Sequence, residues 1–127
     1  MKVLITGGAG FLGLHLARFF SKKKYQVYLL DITDFNKKEY PKNCYFIKTD
    51  IRNKASMYRY IEGMDFVIHA AAALPLWKSK EIYSINVNGT ENVLEASFRN
   101  KVKRVIYISS TAVYGVAEKH PIYENDP

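Results

Sequence analysis

Thr6-Gly7-Gly8-Ala9-Gly10-Phe11-Leu12-Gly13 follows a short apolar run, Val3-Leu4-Ile5, and opens a helical pattern. A glycine-rich turn between a strand and a helix is the context in which such a sequence becomes a dinucleotide-binding site. Gly7 allows the tight turn out of the strand, Gly10 lets the backbone approach a pyrophosphate, and Gly13 lets the helix pack closely. The free N–H groups at the helix start, those of Phe11 and Leu12 among them, and the positive end of the helix dipole then face the anion. The bare glycine pattern also occurs at ordinary strand-to-helix turns, so the reading rests on the next element of the chain. Tyr25-Gln26-Val27-Tyr28-Leu29-Leu30 reads as a second strand, and Asp31 stands at its end, eighteen residues after Gly13. A carboxylate there accepts hydrogen bonds from ribose hydroxyls and repels a 2′-phosphate, which favours NAD over NADP. The plainer reading of Asp31 is a solvated turn residue ahead of Thr33 and Asp34.

Outward from this turn, short apolar strands alternate with helical stretches. Strands are expected near 2–6, 26–30, 44–48, 65–69 and 103–109, and helices near 11–23, 54–62 and 80–99. That alternation predicts an α/β fold, a Rossmann-type doubly wound parallel sheet of about five strands with helices on both faces. The first helix is expected to bury Leu12, Leu16, Phe19 and Phe20, and the long helix Ile82, Ile85, Val93, Leu94 and Phe98. Gly89 interrupts that helix at about 1 kcal/mol relative to Ala, which points to a close contact there. Residues 116–127 are polar, carry two prolines and read as a loop tail of one domain over 1–127.

Length and composition agree. The chain has 127 residues, 48% hydrophobic and 24% charged, enough for a buried core and unlike a disordered chain. No apolar stretch is long enough to span a bilayer, and the chain enters a strand at once without a signal-peptide core. A single cysteine, Cys44, precludes an internal disulfide, and beside Tyr45 and Phe46 it is expected to be a small buried apolar residue. Together these predict a cytoplasmic protein without a membrane partner. The net charge of +7 comes partly from Lys22-Lys23-Lys24 and from Lys101, Lys103 and Arg104. Both clusters fall where helices end, and cations are favoured there. No interleaving of basic and aromatic residues suggests a nucleic-acid platform.

Three further segments lie at strand ends. Asp50-Ile51-Arg52 follows the third strand, where a carboxylate would face an adenine amino group. His69-Ala70-Ala71-Ala72-Ala73 follows the fourth, where small side chains leave room for a ribose or nicotinamide, with His69 a packed strand-end residue. Ser109-Ser110-Thr111 follows the fifth, where a hydroxyl would lie near the crevice. No His, Cys or carboxylate grouping has metal-ligand spacing, and no base partner suggests a Ser-His-Asp triad.

Taken together, the turn at Thr6–Gly13, Asp50-Ile51, the run Asn86-Val87-Asn88-Gly89-Thr90-Glu91-Asn92-Val93-Leu94-Glu95-Ala96 and the segment Ser109-Ser110-Thr111-Ala112-Val113-Tyr114-Gly115 resemble the extended short-chain dehydrogenase/reductases. Within them the chain is most similar to the NAD-dependent epimerase/dehydratase family and its UDP-glucose 4-epimerase-like members. The resemblance implies that Gly7, Gly10, Phe11, Leu12, Gly13, Asp31, Asp50, Ile51, Ala70, Ala71, Ala72, Asn86 and Ser109 contact NAD. It places Ser110 at the family's active-site Ser or Thr. It also implies a nucleotide-sugar substrate, hydride transfer between a sugar carbon and NAD, and a homo-oligomer. The family's base is the Tyr of a Tyr-x-x-x-Lys pair, and none of the ten tyrosines here has Lys at the fourth following position. The chain is therefore expected to be the NAD-binding portion of such an enzyme, inactive alone. The alternative is a stand-alone NAD-binding or sensing module.

Overall fold

The computed structural model describes residues 1–73, 76–115 and 121–125. Five strands form one parallel sheet: β1 (Lys2–Thr6), β2 (Gln26–Asp31), β3 (Cys44–Lys48), β4 (Phe66–His69) and β5 (Arg104–Tyr107), in the order β3-β2-β1-β4-β5. The helices are α1 (Phe11–Lys22), α2 (Lys54–Ile61), α3 (Ser79–Tyr83) and α4 (Thr90–Arg99), the last two joined without a break by a π-helical turn over Ser84–Gly89. The strands lie within two residues of the expected positions at each end. Two 3₁₀ turns, Lys37–Glu39 and Thr111–Tyr114, had no signal in the hydrophobic pattern.

Central parallel strands are covered on both faces, so they read as apolar runs. Val3, Ile5, Val27 and Leu29 meet Ala17 of α1 on one face. Leu4, Leu30 and Val67 meet Met57 and Ile61 of α2 and Val93 and Ala96 of α4 on the other. Cys44 is buried on the α1 side, and that burial pushes its thiol up, away from the reactive thiolate.

Two expected helix faces are corrected. In α1 the buried residues are Gly13 and Ala17, with Leu16 and Phe20 half-buried, while Leu12 and Phe19 are exposed. In α4 the buried line runs through Val93, Ala96 and Ser97, while Leu94 and Phe98 are exposed, Phe98 at 85%. At about 100° per residue, Leu94 and Phe98 stand roughly 100° and 140° around the axis from Val93, so the spacing that buries Val93, Ala96 and Ser97 turns them outward.

The helix ends are closed locally. The Asn53 side chain accepts from the Ser56 N–H and caps α2. Helices α1 and α4 each end in a Schellman arrangement, with Tyr25 N–H donating to the Phe20 carbonyl and Val102 N–H to that of Ser97. The left-handed position in each is a lysine, Lys24 (φ 61) and Lys101 (φ 53).

Helix α1 meets the turn that precedes it closely: a Cβ on Gly13 would lie 2.7 Å from both the Gly8 Cα and the Gly8 carbonyl oxygen. Backbone cannot rotate aside as a side chain does. Gly13→Ala is therefore expected to destabilise the fold by about 1–3 kcal/mol, read as a lower urea midpoint with an unchanged m-value.

Candidate cofactor crevice

In a 3-2-1-4-5 sheet the chain leaves β1 towards one side and β4 towards the other, and a crevice opens between their carboxyl ends. It measures about 310 Å³ here. Gly7, Ala9 and Gly10 form one wall, Asp31 to Thr33 and Thr49 to Ile51 a second, and Ala70 to Ala72 with Trp77 a third. Gly7 has φ +70, and a Cβ on it would lie 2.8 Å from the Ala70 carbonyl oxygen, so no other residue fits between the two strand ends.

Each bond of the glycine turn has a traceable origin. The Gly8 N–H donates to the Leu30 carbonyl, Gly10 N–H to Gly7 and Leu14 N–H to Gly10. Ala9 N–H donates to Asp31 Oδ2 at 3.0 Å. The N–H groups of Phe11 and Leu12 precede the first intrahelical bond and stand at the positive end of α1. Asp31 also accepts at Oδ1 from the N–H and hydroxyl of Thr33, both at 3.0 Å. Its carboxylate is thus oriented from two sides at the crevice wall.

The alanine wall is held from behind. Thr6 Oγ1 accepts from the N–H groups of Ala70 and Ala71, each at 3.2 Å. With its lone pairs so engaged, the hydroxyl proton goes to His69 Nδ1, 2.6 Å away. Nε2 then carries the imidazole proton and donates to Thr90 Oγ1 at 2.9 Å. The chain Thr6–His69–Thr90 fixes the tautomer by counting donors, and it ties β1, β4 and α4 together. Further along, Ala73 N–H donates to Asn86 Oδ1 at 2.8 Å, from the π-helical turn. Gly89, next to α4, faces Ile51, where a Cβ would lie 2.6 Å from Cδ1, which is the close contact its sequence position implied.

Of the residues singled out in the sequence, Gly7, Gly10, Asp31, Asp50, Ile51, Ala70, Ala71 and Ala72 line the crevice. Phe11, Leu12 and Gly13 form the start of the helix beside it, and Asn86 acts on the alanine segment. Ser109 and Ser110 stand past the end of β5, outside the walls, and the Ser110 hydroxyl oxygen caps the 3₁₀ turn by accepting from Ala112 N–H at 3.2 Å. Asp50 differs from expectation in its partner. Arg52 donates to both carboxylate oxygens through Nε, Nη2 and its own N–H, which holds the carboxyl below its usual range. That leaves the carboxylate little acceptor capacity for an adenine amino group. Sequence reasoning gave no role to Thr6, Thr33 or Trp77. The first two are strand-end hydroxyls and Trp77 is the chain's single tryptophan, so each carried a signal. Tail residues 116–120 and 126–127 lie outside the described residues.

The match extends beyond geometry. The model of the NAD dependent epimerase/dehydratase family matches residues 3–127. The chain belongs to this family. It is 37% identical to a UDP-N-acetyl-alpha-D-glucosaminuronate decarboxylase of Bacillus cytotoxicus, over 98% of this chain and 41% of that protein. It is 36% identical to a putative UDP-glucose 4-epimerase of Methanocaldococcus jannaschii, over 98% of this chain and 43% of the relative. A UDP-glucose 4-epimerase from Bifidobacterium longum, solved in complex with NAD+ and UDP, superposes with a TM-score of 0.89 at 30% identity, over 100% of this chain and 42% of that one. The chain spans about two-fifths of the length of these relatives.

A titratable group lies buried at the end of β4, behind the crevice. No group of three or more His, Cys, Asp or Glu among the described residues is placed to hold a metal ion. His69 is fully buried, and burial lowers its pKa from 6.5 to about 4. The unfolded chain therefore binds a proton that the folded one refuses between those values. The stability due to neutral His69 is complete above about pH 6.5 and falls as pH drops towards 4. The wild type is expected to lose about 2 kcal/mol between pH 7.5 and 5 from this group. In His69→Gln that part of the pH slope disappears, as read by urea unfolding at the two pH values.

Proposed function

We propose that residues 1–127 form one NAD-binding Rossmann domain of a nucleotide-sugar epimerase or dehydratase. The observation that carries this reading is the crevice at the switch point: glycines and alanines on two walls, a helix N-terminus at its edge and an oriented carboxylate on the third. The cradle fits a dinucleotide, because larger side chains at Gly10 or Ala70 to Ala72 would fill the space that a ribose and pyrophosphate require.

In this reading the N–H groups of Phe11 and Leu12 receive the pyrophosphate, Asp31 receives the ribose hydroxyls, and Ile51 with Thr49 borders the adenine. Ala70 to Ala72 leave room for the nicotinamide side, with Asn86 holding the segment after them. Bound NAD supplies a hydride acceptor for a sugar carbon. Ser110 keeps its hydroxyl proton while its oxygen caps the turn, so it donates to a substrate oxygen. No tyrosine in the chain has the Lys spacing of the family's base. Residues 1–127 alone therefore bind NAD without turning over a nucleotide-sugar. The exposed Leu94 and Phe98 on α4 support self-association.

Calorimetric titration tests the assignment. NAD is expected to bind more tightly than NADP. Asp31→Asn keeps the shape of the side chain and removes its charge. It should weaken NAD by about ten- to a hundredfold while strengthening NADP. Opposite signs for the two cofactors cannot arise from general damage. Failure of both to bind the wild type would overturn the reading.

A further inference from the structure

The peptide unit joining Gly8 to Ala9 is gripped at both ends. Its carbonyl, on Gly8, accepts from the Tyr40 hydroxyl at 2.9 Å. Its N–H, on Ala9, donates to Asp31 Oδ2 at 3.0 Å. The two grips come from the two sides of the β2–β3 connection, since Asp31 closes β2 and Tyr40 follows the 3₁₀ turn. Ala9 and Asp31 line the crevice, whereas Gly8 and Tyr40 do not, so the carbonyl points away from the crevice and the N–H towards its wall.

Tyr40 is itself held. Its ring meets Phe46 edge-on at 5.3 Å and Phe35 at 5.8 Å, both within the α1-side core. Its N–H donates to the Lys37 carbonyl, and the preceding Glu39 carbonyl accepts from Arg18 of α1 at 3.1 Å. Burial, reinforced by the charges of Glu39 and Asp31, raises the phenol above its ordinary value, so it remains a donor throughout the neutral range. Gly8 offers no slack of its own: its N–H is taken by Leu30, and a Cβ there would lie 2.9 Å from that of Leu29.

We infer that Tyr40 is a positioning residue for the phosphate turn, locking the 8–9 peptide with its carbonyl away from the crevice. A flipped peptide would aim that carbonyl at the Asp31 carboxylate and at any phosphate on the helix start, both of which repel it. Asp31 alone anchors only the N–H end. The hydroxyl of Tyr40, thirty-two residues further along the chain, fixes the other. The inference rests on the NAD-binding reading for its ligand, and on geometry alone for the lock.

Tyr40→Phe keeps the ring and its aromatic contacts and deletes only the hydroxyl. Two readouts are needed: calorimetric titration with NAD, and amide hydrogen exchange at Ala9 beside core amides such as Leu4 and Leu29. The expected result is about a tenfold weaker affinity for NAD and about tenfold faster exchange at Ala9, with Leu4 and Leu29 unchanged. A merely structural role for Tyr40 would accelerate exchange at the core amides as well. Unchanged exchange at Ala9 overturns the lock. Faster exchange with undiminished NAD affinity overturns its role in binding. A wild-type chain that binds no NAD sinks the cofactor reading, and the exchange rate at Ala9 still decides the lock.

Discussion

The approach of Gly7 to Ala70 is the constraint on which the rest of the site depends. It occurs where the chain departs from β1 and β4 in opposite directions, and it requires a residue without a Cβ in a left-handed conformation. Once the two strand ends are this close, both segments present backbone to the crevice. The small residues next in each segment, Ala9 and Gly10 on one side and Ala71 and Ala72 on the other, keep it so. The same closeness explains Gly13, because the helix must start almost on top of the turn for its N-terminus to reach the crevice edge.

Close packing at the front is matched by a hydrogen-bonded frame behind. Thr6, His69 and Thr90 form a chain in which the Thr6 hydroxyl hydrogen and the imidazole hydrogen each have one destination. This frame is buried, so an unmatched donor within it would cost about 1–3 kcal/mol, which is why a neutral imidazole is enforced. The two walls of the crevice are thus set by different chemistry. The glycine turn is positioned by partners from the β2 side, Leu30, Asp31 and Tyr40. The alanine wall is positioned from β1 and α4.

Much of this was legible in the sequence because the signals were periodic or conformational. Apolar runs of three or four residues marked all five strands, and the glycine spacing marked the turn. The ends of β1, β2, β3 and β4 then converged on the crevice as the alternation required. The less legible parts involve partners chosen in three dimensions. Large apolar residues suggested the face of α1, but the close approach favours Gly13 and Ala17, and Leu12 and Phe19 turn outward. In α4 the large apolar Leu94 and Phe98 suggested an inward face, but they stand around the helix from Val93, Ala96 and Ser97, which meet the sheet. Asp50 was read without Arg52, although the two are adjacent but one, since sequence proximity does not show which way a side chain folds back.

Ser109 and Ser110 take their meaning from position. The walls of the crevice come from the ends of β1 to β4, whereas the hydroxyls after β5 lie beside it, on the flank away from Asp31. In the proposed NAD-binding reading, a group there faces the end of the cleft farthest from Asp31, the nicotinamide end of an extended dinucleotide. In that reading the sheet order sets cofactor recognition and substrate contact on opposite flanks of one crevice. Backbone donors gather after β1, the Asp31 carboxylate at the end of β2 and small side chains after β4, while the Ser109 and Ser110 hydroxyls follow β5. The order 3-2-1-4-5 fixes where each of these strand ends stands, and the residues at those ends supply the character of each flank.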